Sequence, residues 1–385
     1  MKILFCGDFV FSGNTDFSIS TDLQSYFNKQ DFRIINFEAP VKDGNSEIDS
    51  LIKAGPHVCN SSKGISFLRN IGINATALAN NHIMDYGVEA LLKTKELLHQ
   101  QGFKTLGAGN NFEDVYEPLI LENNNEKIAI FNLCQAEFGV MKNSGIKAGY
   151  AWINHNSINV RIKKYVDEGY YVIIFAHAGV EDEEFILPEW RNRYHEFIDL
   201  GVKYVIASHP HIIQGIETYK NSKIVYSLGN FLFDKLKTSE QWCTGLIVSI
   251  DTKSVLNFES RIVHFEDNII DFAETELNKA MLDRRNSYVS NDLVVEQLAD
   301  ELSEKLWNKY YKSYYECIVP HSIKKLLKIK FKKIFFGKKD DFFDETMLLH
   351  NIQIESHRWC VERYLYNKNV KENSFLGENV DENFR

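Results

Sequence analysis

Polar residues of metal-ligand type recur just after short apolar runs along this 385-residue chain. Asp8 follows Ile3-Leu4-Phe5-Cys6-Gly7, and Glu38 follows Ile34-Ile35-Asn36-Phe37. Asn81 and His82 follow Ala75–Asn80, and His177 follows Val172–Ala176. His209 and His211 follow Val205-Ile206-Ala207-Ser208, and Asn230 follows Val225–Gly229. Imidazole nitrogens with carboxylate and amide oxygens suit borderline or hard divalent ions such as Zn, Mn or Fe. Cysteine is absent from the set, which argues against a structural zinc site. A lone histidine after a strand is more often structural, and a lone aspartate there is more often a helix cap. Recurrence over six runs is what points to one site. In His209-Pro210-His211, the alternation of an extended segment puts both rings on one side.

The runs themselves read as strands. Lys2–Cys6, Phe32–Asn36, Ala75–Ala79, Ile128–Leu133, Tyr171–Ala176, Tyr204–Ala207 and Lys223–Ser227 are the predicted strands, with Gly245–Ile250 and Arg261–Phe265 closing the series. Between them, Val88–Gln101, Asn159–Glu168 and Pro188–Leu200 have helical spacing of apolar residues. Gly102 stops the first of these helices, and Pro188 opens the last, where its missing N–H costs nothing. The pattern predicts an α/β fold with central sheets flanked by helices. In such sheets the carboxyl ends of the strands form the ligand-binding crevice.

Composition bounds the rest. Forty-four Lys and Arg against 53 Asp and Glu leave a formal charge of −9, which counts against a dedicated nucleic-acid binder. The six cysteines make no CxxC and read as buried thiols in a reducing compartment. Met1-Lys2 runs straight into an apolar segment without the n-region and h-region of a signal peptide. No uncharged apolar run reaches the ~18 residues of a spanning helix. A cytoplasmic protein is expected, peripheral at most to the inner membrane face. Nineteen of the 21 glycines lie within residues 1–265. Two domains are therefore expected: 1–265, and a mostly helical extension over 266–385 with helices at Asp292–Tyr311 and Met347–Tyr366. Inside the extension, residues 323–339 carry eight lysines and no acid, interleaved with apolar residues such as Leu326, Leu327 and Phe331. This basic segment reads either as an interfacial helix on anionic lipid or as a solvated helix with snorkelling lysines. Gly107-Ala108-Gly109-Asn110 lacks the P-loop lysine and reads as a turn before a helix near Phe112–Tyr116.

Taken together, the motifs resemble the CapA (poly-γ-glutamate capsule biosynthesis) family, whose domain is similar to the calcineurin-like metallophosphoesterases. The resemblance rests on Gly7-Asp8, Asn36-Phe37-Glu38-Ala39-Pro40, and Ala79-Asn80-Asn81-His82 with Asp85-Tyr86-Gly87. It continues through Gly107–Asn110, His177-Ala178-Gly179-Val180-Glu181, Ser208-His209-Pro210-His211, and Gln214–Glu217 running to Tyr226–Phe231. It spans residues 1–250 or so and implies a layered metallophosphoesterase-like fold. It also implies one or two divalent ions held by Asp8, Glu38, Asn81, His177, His209 and His211, with Glu38 bridging. His82 is the implied catalytic proton donor. Asp85 either orients that ring or caps the helix at 88–101. Glu181 and Asn230 fall in the implied substrate pocket.

The implied activity is metal-dependent hydrolysis of a phosphoester or a γ-glutamyl-type amide in capsule, exopolysaccharide or poly-γ-glutamate biosynthesis. The alternative is a non-catalytic accessory factor in surface-polymer synthesis or export that retains the metal site. The expected partner is a surface-polymer or phosphorylated substrate, and no nucleic acid. Two positions depart from the metallophosphoesterase pattern: Val10 stands where a histidine follows the first aspartate, and Glu38 replaces the bridging aspartate. Ala178 stands where the CapA family often has tryptophan.

Overall fold

From Ile3 to Val10 every residue of the first strand is buried. Both its faces are covered, as in strands at the centre of an α/β sheet. Ile3 and Phe5 enter one core with Ile34, Ile130, Ile173 and Ile206. Leu4 and Cys6 enter another with Leu23, Phe27, Leu68, Leu91 and Leu98. The computed structural model describes residues 1–44, 50–123, 126–235, 239–253, 257–316 and 345–375. The basic segment 323–339 lies outside the described residues. The chain divides into two compact units, Met1–Val295 and Glu296–Arg385.

Among the described residues, the first unit holds two large sheets. One has nine strands, in the order Ser18–Ile19, Ile269–Phe272, Phe258–Glu266, Thr244–Asp251, Lys2–Val10, Phe32–Phe37, Ala75–Ala77 and Lys104–Leu106, with Asn230–Phe233 also paired to Lys2–Val10. The other has six, in the order Ile216–Tyr219, Ser222–Val225, Tyr204–Ser208, Tyr171–His177, Glu126–Cys134 and Leu119–Asn123. The sheets face each other across the core of Ile3 and Phe5. Helices Thr21–Asn28, Ser62–Asn70 and Gly87–Gln100 cover the outer face of the first sheet. Helices Ile158–Asp167 and Pro188–Asp199 cover the second. The class is therefore α/β, with central sheets between helical layers. The middle strands of both sheets run parallel, so their carboxyl ends gather on one rim.

Three local features differ from the sequence expectation, and each bears on the site. The first strand does not stop at Cys6 but runs to Val10, with its register broken between Cys6 and Asp8. That bulge changes the strand's parity: Phe9 joins the core of Leu4 and Cys6 instead of that of Ile3 and Phe5. Asn230 opens a strand, Asn230–Phe233, parallel to the first one. His209 and His211 are not in extended backbone, since their φ angles are +102° and +61°. The Gly107 segment is not simply the turn expected: Ala108–Gly109 form a short strand paired antiparallel with Gly149–Tyr150, because backbone partners far along the chain take up its hydrogen bonds, while the helix after it, Phe112–Tyr116, is capped by the Asn111 side chain.

Glycine depletion begins near 265, but the packing of the first unit continues beyond it. Strand Ile269–Phe272 pairs with Phe258–Glu266 and with Ser18–Ile19. Helix Glu276–Tyr288 then closes on Gly215 and Ile216, whose amide donates to Asn286 Oδ1 at 2.7 Å. The composition marks where turns give way to helix, whereas the compact unit continues to Val295.

In the second unit, the helix ending at Leu306 passes through a π-helical turn, Trp307–Tyr311, into Lys312–Glu316. Helices Glu345–Gln353 and Glu355–Phe375 follow. Trp307 stacks on Tyr364 at 4.8 Å, and Arg363 pairs with Glu296 at 2.6 Å and Asp300 at 3.1 Å. Among the described residues no helix is long and apolar enough to cross a membrane.

A β-carbon on Gly215 would lie 2.4 Å from the carbonyl oxygen of Arg285. The Gly215→Ala variant is therefore expected to lose about 1–3 kcal/mol, the usual cost of overpacking. A thermal melt checks this, and an unchanged midpoint would show that the helix is not held against the sheet.

Candidate metal centre

Strand geometry delivers the carboxylates. A β-carbon on Gly7 would stand 1.9 Å from the carbonyl oxygen of Gly229, so only glycine lets the two segments meet. The bulge there pairs Asp8 with Asn36 on one side and Asn230 on the other. Asn36 Nδ2 donates to Asp8 Oδ1 at 2.7 Å, and the amide of His209 donates to Asp8 Oδ2 at 3.1 Å. Glu38 follows the next strand, tied back by its amide to the carbonyl oxygen of Phe9 at 3.1 Å. Both carboxylates are fully buried. Neither oxygen of Glu38 has a hydrogen bond among the described residues.

The imidazoles close around Glu38. His177 ends its strand with Nδ1 at 3.1 Å from both Ser208 Oγ and Asn36 Nδ2. Its Nε2 faces Asn81 Oδ1 at 3.0 Å, His209 Nδ1 at 3.2 Å and Glu38 Oε1 at 3.6 Å. His211 Nδ1 lies 3.0 Å from Asn230 Oδ1 and 3.4 Å from Asp8 Oδ2, while its Nε2 lies 3.8 Å from Glu38 Oε1. Ligand atoms of Asp8, Glu38 and His211 all fall within 4.8 Å of one another. The positive φ at His209 and His211 costs of order 1–3 kcal/mol each, and that strain turns both rings inward where an extended segment would not.

The electrostatics follow from this crowding. Burial, reinforced by Asp8, pushes the Glu38 carboxyl well above the usual carboxylate range. Burial also pulls His177 well down, helped by His209 and His211. For His211 burial acts downward, but Glu38 and Asp8 outweigh it and push the imidazole up to about 10. Burial and the Glu181 carboxylate raise Glu137 to about 8. A buried carboxylate without a hydrogen bond among the described residues and a set of convergent imidazoles form a costly arrangement that a divalent cation would relieve. The donor set of carboxylate, amide and imidazole fits such an ion.

Family comparison agrees with the motifs. Residues 2–235 match the model of the bacterial capsule synthesis protein PGA_cap. The chain belongs to this family. It is 26% identical over 214 residues to the capsule biosynthesis protein CapA of Bacillus anthracis, covering 54% of this chain and 52% of that protein. It is 28% identical over 229 residues to the PGA biosynthesis protein CapA of Bacillus subtilis (strain 168), covering 57% of each. The chain thus spans about half the length of these curated relatives. Among solved structures it is similar to the sulfate thiohydrolase SoxB of Termus thermophilus, with a TM-score of 0.38 and 10% identity over 68% of this chain and 56% of that one. That overlap is too loose to carry an argument.

Of the residues singled out in this family member's sequence, Asp8, Glu38, Asn81, His177, His209 and His211 converge in one buried cluster. His82 stands beside it and affects the titration of His177. Asp85 Oδ2 lies 2.7 Å from His82 Nδ1. Helix Gly87–Gln100 begins without a side-chain cap, so Asp85 faces the histidine and not the helix end. Glu181 is exposed, yet its charge reaches Glu38, Glu137, His82 and His211. Asn230 is spent on its neighbours: Oδ1 faces His211, and Nδ2 donates to the carbonyl oxygen of Trp242 at 3.1 Å.

Several site residues escaped the sequence reading. Gln135 and Glu137 follow the strand Glu126–Cys134 and obey the same rule that found the others. Gln135 Nε2 donates to Glu137 Oε1 at 2.6 Å and lies 3.0 Å from His209 Nε2. Lys53, which pairs with Asp85 and lies 3.2 Å from His82 Nδ1, gave no signal because it belongs to no regular element.

Burial holds the Glu38 carboxyl up and the neighbouring carboxylates hold His211 up, whereas a cation takes the ionised carboxylate and the neutral imidazole. Cation entry is therefore expected to release protons, and affinity is expected to rise with pH through the neutral range. Calorimetric titration of chelated protein with Mn²⁺ in buffers of unequal ionisation enthalpy measures the release. Proton uptake would contradict it.

Proposed function

We propose that this chain is a divalent-metal-dependent hydrolase of bacterial surface-polymer metabolism, acting on a phosphoester or a γ-glutamyl-type amide. The observation that carries the reading is Glu38: a fully buried carboxylate beside Asp8 and the imidazoles of His177 and His211, with neither oxygen hydrogen-bonded among the described residues. Asp8, Glu38 and His211 would hold one ion. Asn81, His177 and His209 would hold a second one beside it, with Glu38 shared. An ion held there supplies Lewis acidity toward a phosphoryl or carbonyl oxygen and acidifies water.

The chain's own residues do the remaining work. Asn36 and the His209 amide hold Asp8 in place from two directions. Asp85 accepts from His82 Nδ1–H and so leaves Nε2 as the nitrogen that takes up or returns a proton. Burial and the Lys53 ammonium lower the affinity of His82 for a proton, with Asp85 opposing them. An incoming anionic group would raise it again, which couples protonation of His82 to substrate occupancy. Lys53 also neutralises Asp85, so the pair enters the site without net charge.

A second reading has one observation in its favour. Val10 is buried with Ala39, Val58, Ile212, Phe233 and Trp242, so an apolar cluster fills the position of a further imidazole. On that reading the chain keeps a weaker metal site and serves as an accessory factor in polymer synthesis or export.

Elemental analysis of purified protein is expected to show a divalent metal, and the paired His209→Ala/His211→Ala variant to lose it. Against a panel of phosphomonoesters, phosphodiesters and γ-glutamyl peptides, His82→Ala is expected to keep its metal and lose ~10²–10⁴-fold in kcat. Wild-type activity in His82→Ala, with metal bound, would favour the accessory role. A metal-free wild type would remove the metal reading.

A further inference from the structure

Trp242 lies beyond residue 235, where the family match ends. It sits in the 3₁₀ turn Glu240–Cys243 and is 5% exposed. Three separate paths run from it to His211. Its ring lies against the His211 imidazole with centroids 4.4 Å apart, and Phe233 stands edge-on to both at 5.0 Å. Its carbonyl oxygen accepts from Asn230 Nδ2, which turns Asn230 Oδ1 toward His211 Nδ1. Its indole Nε1 donates to Asp182 Oδ1, and the Asp182 amide donates to the carbonyl oxygen of Pro210, the residue before His211.

These paths fix more than position. With Nδ2 of Asn230 committed to Trp242, both oxygens near His211 Nδ1, from Asn230 and Asp8, are acceptors. The proton of a neutral His211 therefore belongs on Nδ1, and the lone pair on Nε2 faces Glu38. A left-handed backbone at a residue with a β-carbon persists only where its surroundings over-determine it, and His211 is such a residue. The turn is braced in its own right. Arg285, almost fully buried, donates through Nη2 to Gln241 Oε1 at 2.6 Å and to Glu184 Oε1 at 3.0 Å.

We propose that Trp242 is a positioning residue of the metal centre, setting the ring orientation and tautomer of His211. The proposal rests on the metal reading of the site. It goes beyond that reading by assigning a role to a segment outside the matched region.

Co²⁺ serves as the probe. Its affinity is measured by chelator competition and its geometry by the visible absorption spectrum, for wild type, Trp242→Ala and Trp242→Phe. Trp242→Ala is expected to bind ~10–100-fold more weakly, the usual effect of removing a residue that orients a ligand, with an altered spectrum. Trp242→Phe keeps an aromatic ring and is expected to fall between. Co²⁺ should also quench indole fluorescence in wild type more than in Trp242→Phe. A residue that only supports the fold would lower the melting temperature and leave the Co²⁺ spectrum of the folded protein unchanged. Wild-type affinity and spectrum in Trp242→Ala overturn the proposal. If that variant does not fold, the same result in Trp242→Phe overturns it. A wild type that takes up no Co²⁺ overturns the metal reading itself, which is a different outcome.

Discussion

Asp8 and Glu38 are fully buried in one pocket, and Glu38 has no hydrogen-bonding partner of its own among the described residues. Removing a carboxylate from water costs several kcal/mol unless other groups compensate. Two of them side by side, with three imidazoles turned inward, will not stay assembled in a yielding frame. The rest of the first unit is best understood as that frame. Its sheets, bulge, strained turns and outer brace all hold charged groups where they would not otherwise gather.

The frame works through register. Parallel pairing sets His177 beside Ser208 and Cys134, so the residues that follow, His209 and Gln135, arrive at the same rim. The bulge at Gly7 places Asp8 between Asn36 and Asn230. Those pairings recur along whole strands whose apolar side chains interlock in two cores, so a shift at one ligand would displace many buried groups. Rigidity at the rim is thus an outcome of packing well below it.

A second layer of residues tunes the first. Asn36, Ser208, Gln135 and Asn230 each touch one of the clustered carboxylates or imidazoles and select which of its atoms faces inward. Lys53 and Asp85 do the same for His82. The supports reach past the family match: the Trp242 turn holds His211, and Arg285 holds that turn. This explains why the compact unit extends to Val295 while the motifs stop near residue 231. The buried cluster rests on a wall that the motifs do not supply.

Much of this was legible in the sequence. Runs of β-branched and aromatic residues named most of the central strands, because a strand covered on both faces must be apolar throughout. The clustered site residues were legible for a related reason: a polar residue directly after such a run sits at the sheet's carboxyl end. The sequence leaves Asp85 between two roles, and the uncapped helix and the contact with His82 distinguish them. What the sequence could not show were consequences of contacts between distant segments. The bulge that turns Asp8, the left-handed φ of His209 and His211, and the reach of Lys53 each depend on a partner far along the chain. The placement of Trp242 against His211 is of the same kind. A local pattern records what each residue tends to do, whereas these conformations persist only because packing elsewhere offsets their cost.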